Sequence, residues 1–166
     1  IKKTHRKKSA AVDFFRFKPL RPSRNMVRSL RTMSGLKKSG EFTRALELVR
    51  AGVSPIFITG QAGTGKSTLL EHLKKKVEKQ LAVVAPTGVA ALNVGGQTIH
   101  SFFGFGPDIT PHGVKRRSGK RSELYRKLEL IIIDEISMVR ADLLDAIDAF
   151  LRLNRDLPEK PFGGVQ

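Results

Sequence analysis

The sequence predicts an α/β fold in which a parallel sheet is covered by helices on both faces, and three observations carry that expectation. Leu81–Ala85 (LAVVA) is apolar at every position and Leu130–Asp134 (LIIID) at every position before its final aspartate, as strands buried on both faces are. Apolar residues recur at helical spacing in the stretches between and after them, which is the alternation that builds a parallel sheet. A glycine-rich octapeptide, Gly60–Ser67, sits between a β-branched run and an amphipathic stretch.

Taken in order, the first element is a basic segment. Residues 1–40 hold 13 Lys and Arg against the single acid Asp13, in a chain whose formal charge is +16. With Pro19, Pro22, several serines and no sustained period, this segment is expected to be extended or disordered, with a domain following over 41–166. Such a segment attracts phosphate backbones through counterion release. A solvated tail or an organelle targeting extension accounts for it equally. Phe14, Phe15 and Phe17 are its apolar residues; they fit docking on the domain or stacking on bases.

Phe42, Ala45, Leu46 and Val49 predict a helix, with Gly52 placed as its C-terminal cap. Pro55–Thr59 (PIFIT) reads as a buried strand before Gly60. A helix is expected from Lys66 to about Gln80, with Leu69, Leu70, Leu73 and Val77 on one face. The strand LAVVA follows, then the strand Leu130–Asp134 (LIIID), and Leu143, Leu144, Ile147, Phe150 and Leu151 mark a last amphipathic helix.

Composition narrows the function classes. The chain has no cysteine, which excludes disulfides and thiolate metal sites. Its four histidines show no metal-ligand spacing. No apolar run reaches the roughly 18 to 20 residues of a membrane span, so no membrane partner is expected. Ile1 opens no apolar leader, so secretion is not expected; nor is Ile1 expected to be the true N-terminus. The compartment expected is intracellular, cytoplasm or nucleoid in a bacterium, nucleus or mitochondrion in a eukaryote.

Gly60-Gln61-Ala62-Gly63-Thr64-Gly65-Lys66-Ser67 matches GxxxxGK[ST] in full, between predicted strand and predicted helix. Glycines let the backbone turn tightly so that N–H groups face phosphate oxygens, and a helix N-terminus adds the equivalent of roughly half a positive charge. Gly60, Ala62, Gly63, Thr64, Gly65, Lys66, Ser67 and Thr68 are therefore the candidate nucleotide-binding residues. Lys66 would reach the β- and γ-phosphates of ATP, and the Ser67 hydroxyl would ligate Mg²⁺. About 70 residues on, an apolar strand drives Asp134 and Glu135 to its carboxyl end, where ligands bind in parallel sheets. Asp134 is the candidate Mg²⁺ ligand. Glu135 is the candidate that orients or deprotonates the attacking water, since a general base must be free of direct metal ligation.

The blocks around these two motifs resemble one family. Ala85-Pro86-Thr87-Gly88-Val89-Ala90-Ala91 and Gly95-Gly96-Gln97-Thr98-Ile99-His100-Ser101-Phe102-Phe103 are similar to motifs Ia and Ib of superfamily-one helicases of the petite-integration-frequency (Pif) type. Asp134-Glu135-Ile136-Ser137-Met138-Val139 resembles that family's motif II, and Pro161-Phe162-Gly163-Gly164-Val165-Gln166 the run before motif III. The resemblance covers about Glu41 to Gln166. It implies a RecA-like motor domain of a DNA helicase, hydrolysing ATP and moving 5′ to 3′ on single-stranded DNA, with forked duplex DNA as substrate and a monomeric motor. It further implies contacts with the strand from Pro86, Thr87, Gly88, His100 and Ser101, and a stacking surface at Phe102 or Phe103; core packing for either ring, or a loop-satisfying role for His100, fits the residues as well.

Two departures from the family pattern stand out. Helicases of this superfamily carry an adenine-reading glutamine ahead of the P-loop, and Glu41-Phe42-Thr43-Arg44 has none. The sequence also stops before motif III and the second motor domain, whose arginines serve as fingers worth 10³ to 10⁵ in P-loop enzymes, an order-of-magnitude figure. The expectation is a fragment that binds nucleotide and hydrolyses it weakly or not at all, with the remaining motor domain as its partner in the full chain. Lys115-Arg116-Arg117-Ser118-Gly119-Lys120-Arg121 reads as an exposed loop, either tracking a phosphate backbone or a solvated connector. Two other readings stay open: a non-motor P-loop ATPase, and a nucleic-acid-binding module with a vestigial nucleotide site.

Overall fold

In the computed structural model, residues 40–61 and 63–166 are described; the expected basic tail, up to residue 39, and Ala62 of the P-loop lie outside them. Helix α1 spans Gly40–Arg50. It ends as the sequence predicts, at Gly52: the N–H of Val53 reaches Leu48 O at 3.1 Å and that of Gly52 reaches Val49 O at 3.2 Å, the paired bonds of a Schellman close.

Pro55–Thr59 departs from expectation. It forms no strand, and Phe57 and Ile58 are 75% and 42% exposed; Ile56 alone among its apolar residues packs on the core. An apolar run becomes a strand only where a neighbour pairs its backbone. Among the described residues no backbone bond pairs it: Gln166 bonds the Leu130 strand at Ile131 N (2.8 Å) and Glu129 O (3.0 Å), and its Nε2 reaches only as far as Val53 O, at 2.6 Å.

Helix α2 spans Lys66–Lys76, shorter than the expected run to Gln80. Val77 is extended (φ −94°, ψ 121°) and folds back on the core, while Gln80 O already accepts from Glu129 N and Leu130 N. The four residues of the expected last turn are spent reaching the sheet.

The sheet consists of β1 (Leu81–Ala85), β2 (Gln97–Thr98) and β3 (Leu130–Ile133), all parallel, in the order β2-β1-β3. Registers run from Leu81↔Leu130 to Val84↔Ile133, and from Val84↔Gln97 to Ala85↔Thr98. Gly96 is needed for this pairing, because a Cβ there would sit 2.4 Å from Val83 O. Helix α3 (Gly88–Asn93) links β1 to β2, and α4 (Ile99–Phe103) leaves β2 directly. Helix α5 (Gly119–Lys127) leads into β3, and α6 (Ala141–Arg155) follows it.

Alternation along the strands assigns the two faces. Leu81, Leu130 and Ile132 join Ala45, Val49, Leu69 and Leu73, so α1 and α2 cover that face. Ala82 and Val84 point the other way, and Val84 is 0% exposed, so the opposite face is covered too. A second apolar centre is aromatic: Phe102, Phe103, Phe105, Tyr125 and Phe150 meet in stacked and edge-on pairs 4.8–6.1 Å apart. Beside it the buried Asn154 is satisfied on both sides of its amide, accepting from Arg117 N at 2.6 Å and donating to Phe150 O at 2.9 Å.

Among the described residues no helix is long and apolar enough to cross a membrane.

Candidate functional site

The glycine loop is held open by its own lysine. Lys66 Nζ donates to Gly60 O at 2.6 Å and to Gln61 O at 2.8 Å, and Thr64 Oγ1 donates to Gln61 O at 2.8 Å. Gly65 starts α2 from φ 92°, and the Phe42 ring of α1 lies 3.4 Å from where its Cβ would be. A side chain here would be strained by φ and crowded by that ring, so glycine fixes the direction in which the helix leaves. No side chain caps α2 and no acid lies in its first turn, so its terminal N–H groups and dipole stay available to an anion. Lys66 and Ser67 are exposed and Thr68 is half-buried.

Asp134 is the first residue past β3; its N–H continues the ladder to Val84 O at 2.9 Å. The half-buried Asp134 is followed by an exposed Glu135 in the left-handed region, φ 50° and ψ 43°. That conformation costs a non-glycine residue about 1–2 kcal/mol. It turns the chain sharply off the strand into the single turn Ile136–Met138, closed by Met138 N to Glu135 O at 2.9 Å. The glutamate thereby stands clear of the strand while Asp134 stays on it.

Because β1, β2 and β3 are parallel, their carboxyl ends share one edge. The register extended by one step sets Asp134 beside Ala85, and Pro86, Thr87, Gly88 and the head of α4 follow at that same edge. Pro86 is half-buried and Gly88 exposed. The Thr87 hydroxyl caps α3, accepting from Ala90 N at 3.2 Å, and the Thr98 hydroxyl caps α4, accepting from Ser101 N at 3.1 Å. Ser101 is exposed and His100 half-buried.

The expected stacking surface is not where the sequence placed it. Phe102 and Phe103 are 5% and 0% exposed, and their rings pack edge-on at 4.8 Å within the aromatic centre. A five-residue helix with two adjacent phenylalanines turns both toward the interior because Tyr125, Phe105 and Phe150 line it on that side.

The basic stretch 115–121 differs from a free loop. Arg116 pairs with Asp156 at 2.6 Å, and Arg117 Nη2 donates to Phe103 O at 3.0 Å and Gly104 O at 2.7 Å. Arg155 is a residue that sequence reasoning missed. Its Nη1 donates to Tyr125 O, Arg126 O and Leu128 O at 2.7–2.8 Å, and its Nε to Gly163 O at 2.7 Å. Burial lowers its pKa, with Glu129 acting against the shift. Its place four residues after Leu151 and seven after Asp148, on one helix face, was its sequence signal.

Among the described residues no three His, Asp, Glu or Cys side chains form a metal cage. Mg²⁺ is suited to such a place, since it binds through one or two protein oxygens and completes its shell with phosphate and water. The Ser67 hydroxyl and the Asp134 carboxylate are donors of that kind, and the loop with its ready lysine fits a triphosphate.

A parallel sheet with this glycine loop before α2 and an Asp-Glu pair past β3 defines a P-loop nucleotide-binding domain of the RecA-like class. Within that class the family is settled: the PIF1-like helicase model matches residues 41–166, and the chain belongs to that family. The ATP-dependent DNA helicase PIF1 of Rattus norvegicus is 42% identical over 146 residues, which cover 84% of this chain and 22% of the relative. The Pif1 helicase from Bacteroides in complex with ADP-AlF3 and ssDNA matches at TM-score 0.69 and 47% identity, over 77% of this chain and 30% of that one. Two coordinating Pif1 helicases, solved for DNA unwinding at forked dsDNA, match at TM-score 0.70 and 47% identity, over 77% of this chain and 32% of that one. The sequence thus spans about a seventh to a third of the proteins it matches.

Proposed function

We propose that this chain is the leading part of the first motor domain of an ATP-driven DNA helicase, coupling ATP hydrolysis to 5′-to-3′ movement on single-stranded DNA and to unwinding of forked duplexes. The observation that carries the reading is the shared carboxyl edge. The P-loop helix packs on the β3 face, Asp134 and Glu135 end β3, and the Pro86–Gly88 and His100–Ser101 segments leave β1 and β2 beside them.

Lys66 exchanges its two loop carbonyls for phosphate oxygens, and the α2 N–H groups orient the phosphates. Ser67 and Asp134 hold Mg²⁺, which neutralises phosphate charge when bound. Glu135 positions the attacking water and takes up its proton. Gly88, His100 and Ser101 present the surface for the strand, with Thr87 acting through the cap that sets α3. The basic segment 1–40 adds sequence-independent affinity. The motor is read as a monomer, completed by the remaining motor domain, which supplies the groups facing the γ-phosphate.

The relative in complex with ADP-AlF3 and ssDNA, and the two coordinating Pif1 helicases solved for DNA unwinding at forked dsDNA, support this reading. The test is unwinding of a 5′-tailed fork by the full chain with ATP and Mg²⁺, compared with Glu135→Gln. Unwinding by the native protein and none by a variant that still binds ATP is the expected result. Equal unwinding by both would remove Glu135 from the role given it, and nucleotide turnover without strand movement would favour a non-motor ATPase.

A further inference from the structure

Five cations lie between Lys115 and Arg121, and the fold consumes two of them. Arg116 pairs with Asp156. Arg117 is built in: its Nη2 serves the Phe103 and Gly104 carbonyls, its N–H goes to the buried Asn154, and its guanidinium carbon lies 5.8 Å from the Phe150 ring centre. Lys115, Lys120 and Arg121 are exposed, and among the described residues no ion pair engages them.

Arg117 fixes where these three stand. Both of its side-chain bonds go to the carboxyl end of α4, and Arg121 Nη1 is 3.4 Å from where a Cβ on Gly104 would lie. Arg121 therefore stands at the end of the helix that carries His100 and Ser101, with Lys120 next to it in the chain and Lys115 two residues before the anchored Arg117. From Ile99 to Ser122 the only acid is Asp108. Within 115–121 the remaining residues are Ser118 and Gly119, with no apolar side chain. A surface for a protein partner would offer apolar or aromatic anchors, and a membrane-surface helix would offer an apolar face. This one offers charge and small residues, which suits a phosphodiester backbone.

We propose that Lys115, Lys120 and Arg121 form a phosphate-contacting surface that extends the single-strand path from α4 across the head of α5. The proposal rests on the DNA reading above. Immobilisation by Arg117 gives the surface its value, since a phosphate then meets cations already in place.

The test uses the full chain and measures binding of single-stranded oligonucleotides of increasing length across a salt series. K115A/K120A/R121A should weaken binding, and the slope of log K against log[salt] should become shallower by about 2, from roughly 0.7 for each phosphate no longer neutralised. The weakening should vanish for oligonucleotides too short to pass α4. A control, K75A/K76A, removes two exposed lysines on α2 and should leave the slope unchanged. Binding of a fluorescent ATP analogue should be the same in all three proteins. An unchanged slope in the triple variant overturns the proposal, as does an equal effect per charge in the control, which would make it one of net charge. A native protein that binds no single strand at low salt overturns the parent reading instead.

Discussion

Tyr125 donates its hydroxyl proton to the Phe102 carbonyl at 2.7 Å, from a fully buried position at the centre of the aromatic cluster. Burial raises the phenol's pKa above 10.0, with Arg121 and then Arg117 pulling it back. The fold thus holds the neutral form. Its contribution is complete below pH 10.0, where the unfolded phenol is also neutral, and is lost as pH rises from there through the raised folded value. Denaturant midpoints taken from about pH 9 to about pH 11 should fall more for the native chain than for Tyr125→Phe. At neutral pH that variant should be less stable by about 0.5–1.5 kcal/mol, the net contribution of one hydrogen bond. Parallel pH curves would show that the phenol ionises equally in both states.

Arg155 leads to a second prediction. One guanidinium closes the carboxyl end of α5 and holds Gly163 O, so it joins α6, α5 and the turn before Gln166. Arg155→Met keeps the aliphatic stem and removes the cation from four carbonyls, of which Tyr125 O keeps the Leu128 N–H. It should cost about 1.5–3 kcal/mol in chemical denaturation, the range for hydrogen bonds made by a charged group. Arg155→Lys should recover little, because an ammonium has no planar fork to serve carbonyls on two elements. Full recovery by lysine would mean that charge alone does the work.

How far the sequence could be read depended on where the deciding interactions lie. The P-loop, the Asp134-Glu135 pair and both longer strands were legible, because their chemistry is local and their apolar runs are unbroken. The Gly52 close was legible for the same reason. Pro55–Thr59 was misread, since a strand is a property of a pair and its pairing is not encoded in the run itself. Phe102 was misplaced because a two-phenylalanine step on a short helix carries no period that says which side is inside. The two-residue β2 and the caps at Thr87 and Thr98 were too short for periodicity, although a threonine ahead of each helix was a visible sign. Arg155 and Arg117 were invisible: their partners are carbonyls 8 to 30 residues away.

Glu135 combines a proposed chemical role with a left-handed backbone, φ 50° and ψ 43°. Relieving the strain and deleting the carboxylate can be separated by substitution. Glu135→Gly should raise stability by up to about 1 kcal/mol, since glycine adopts this region without the Cβ clash. Glu135→Gln should leave stability unchanged. Both should bind nucleotide and stop turnover in the full chain, measured as phosphate release. Turnover in Glu135→Gly near the native rate would move the general base elsewhere, whatever the stability showed.

Lys66 is the last test, and it distinguishes two uses of one ammonium. Its bonds to Gly60 O and Gln61 O brace the loop, and its proposed partner is a phosphate. If bracing were its main task, Lys66→Ala would loosen the loop and lower stability without nucleotide. Lys66 is exposed, however, and exposed hydrogen bonds contribute little net stability because water replaces them. The expected outcome is an unfolding midpoint within about 0.5 kcal/mol of the native value. Binding of Mg²⁺-ATP should fall at least tenfold, which is about 1.4 kcal/mol, as read by titration with a fluorescent analogue. Addition of Mg²⁺-ATP should therefore raise the melting temperature of the native chain and leave that of Lys66→Ala in place. Equal ligand-induced shifts in the two proteins would show that the nucleotide sits somewhere other than this loop.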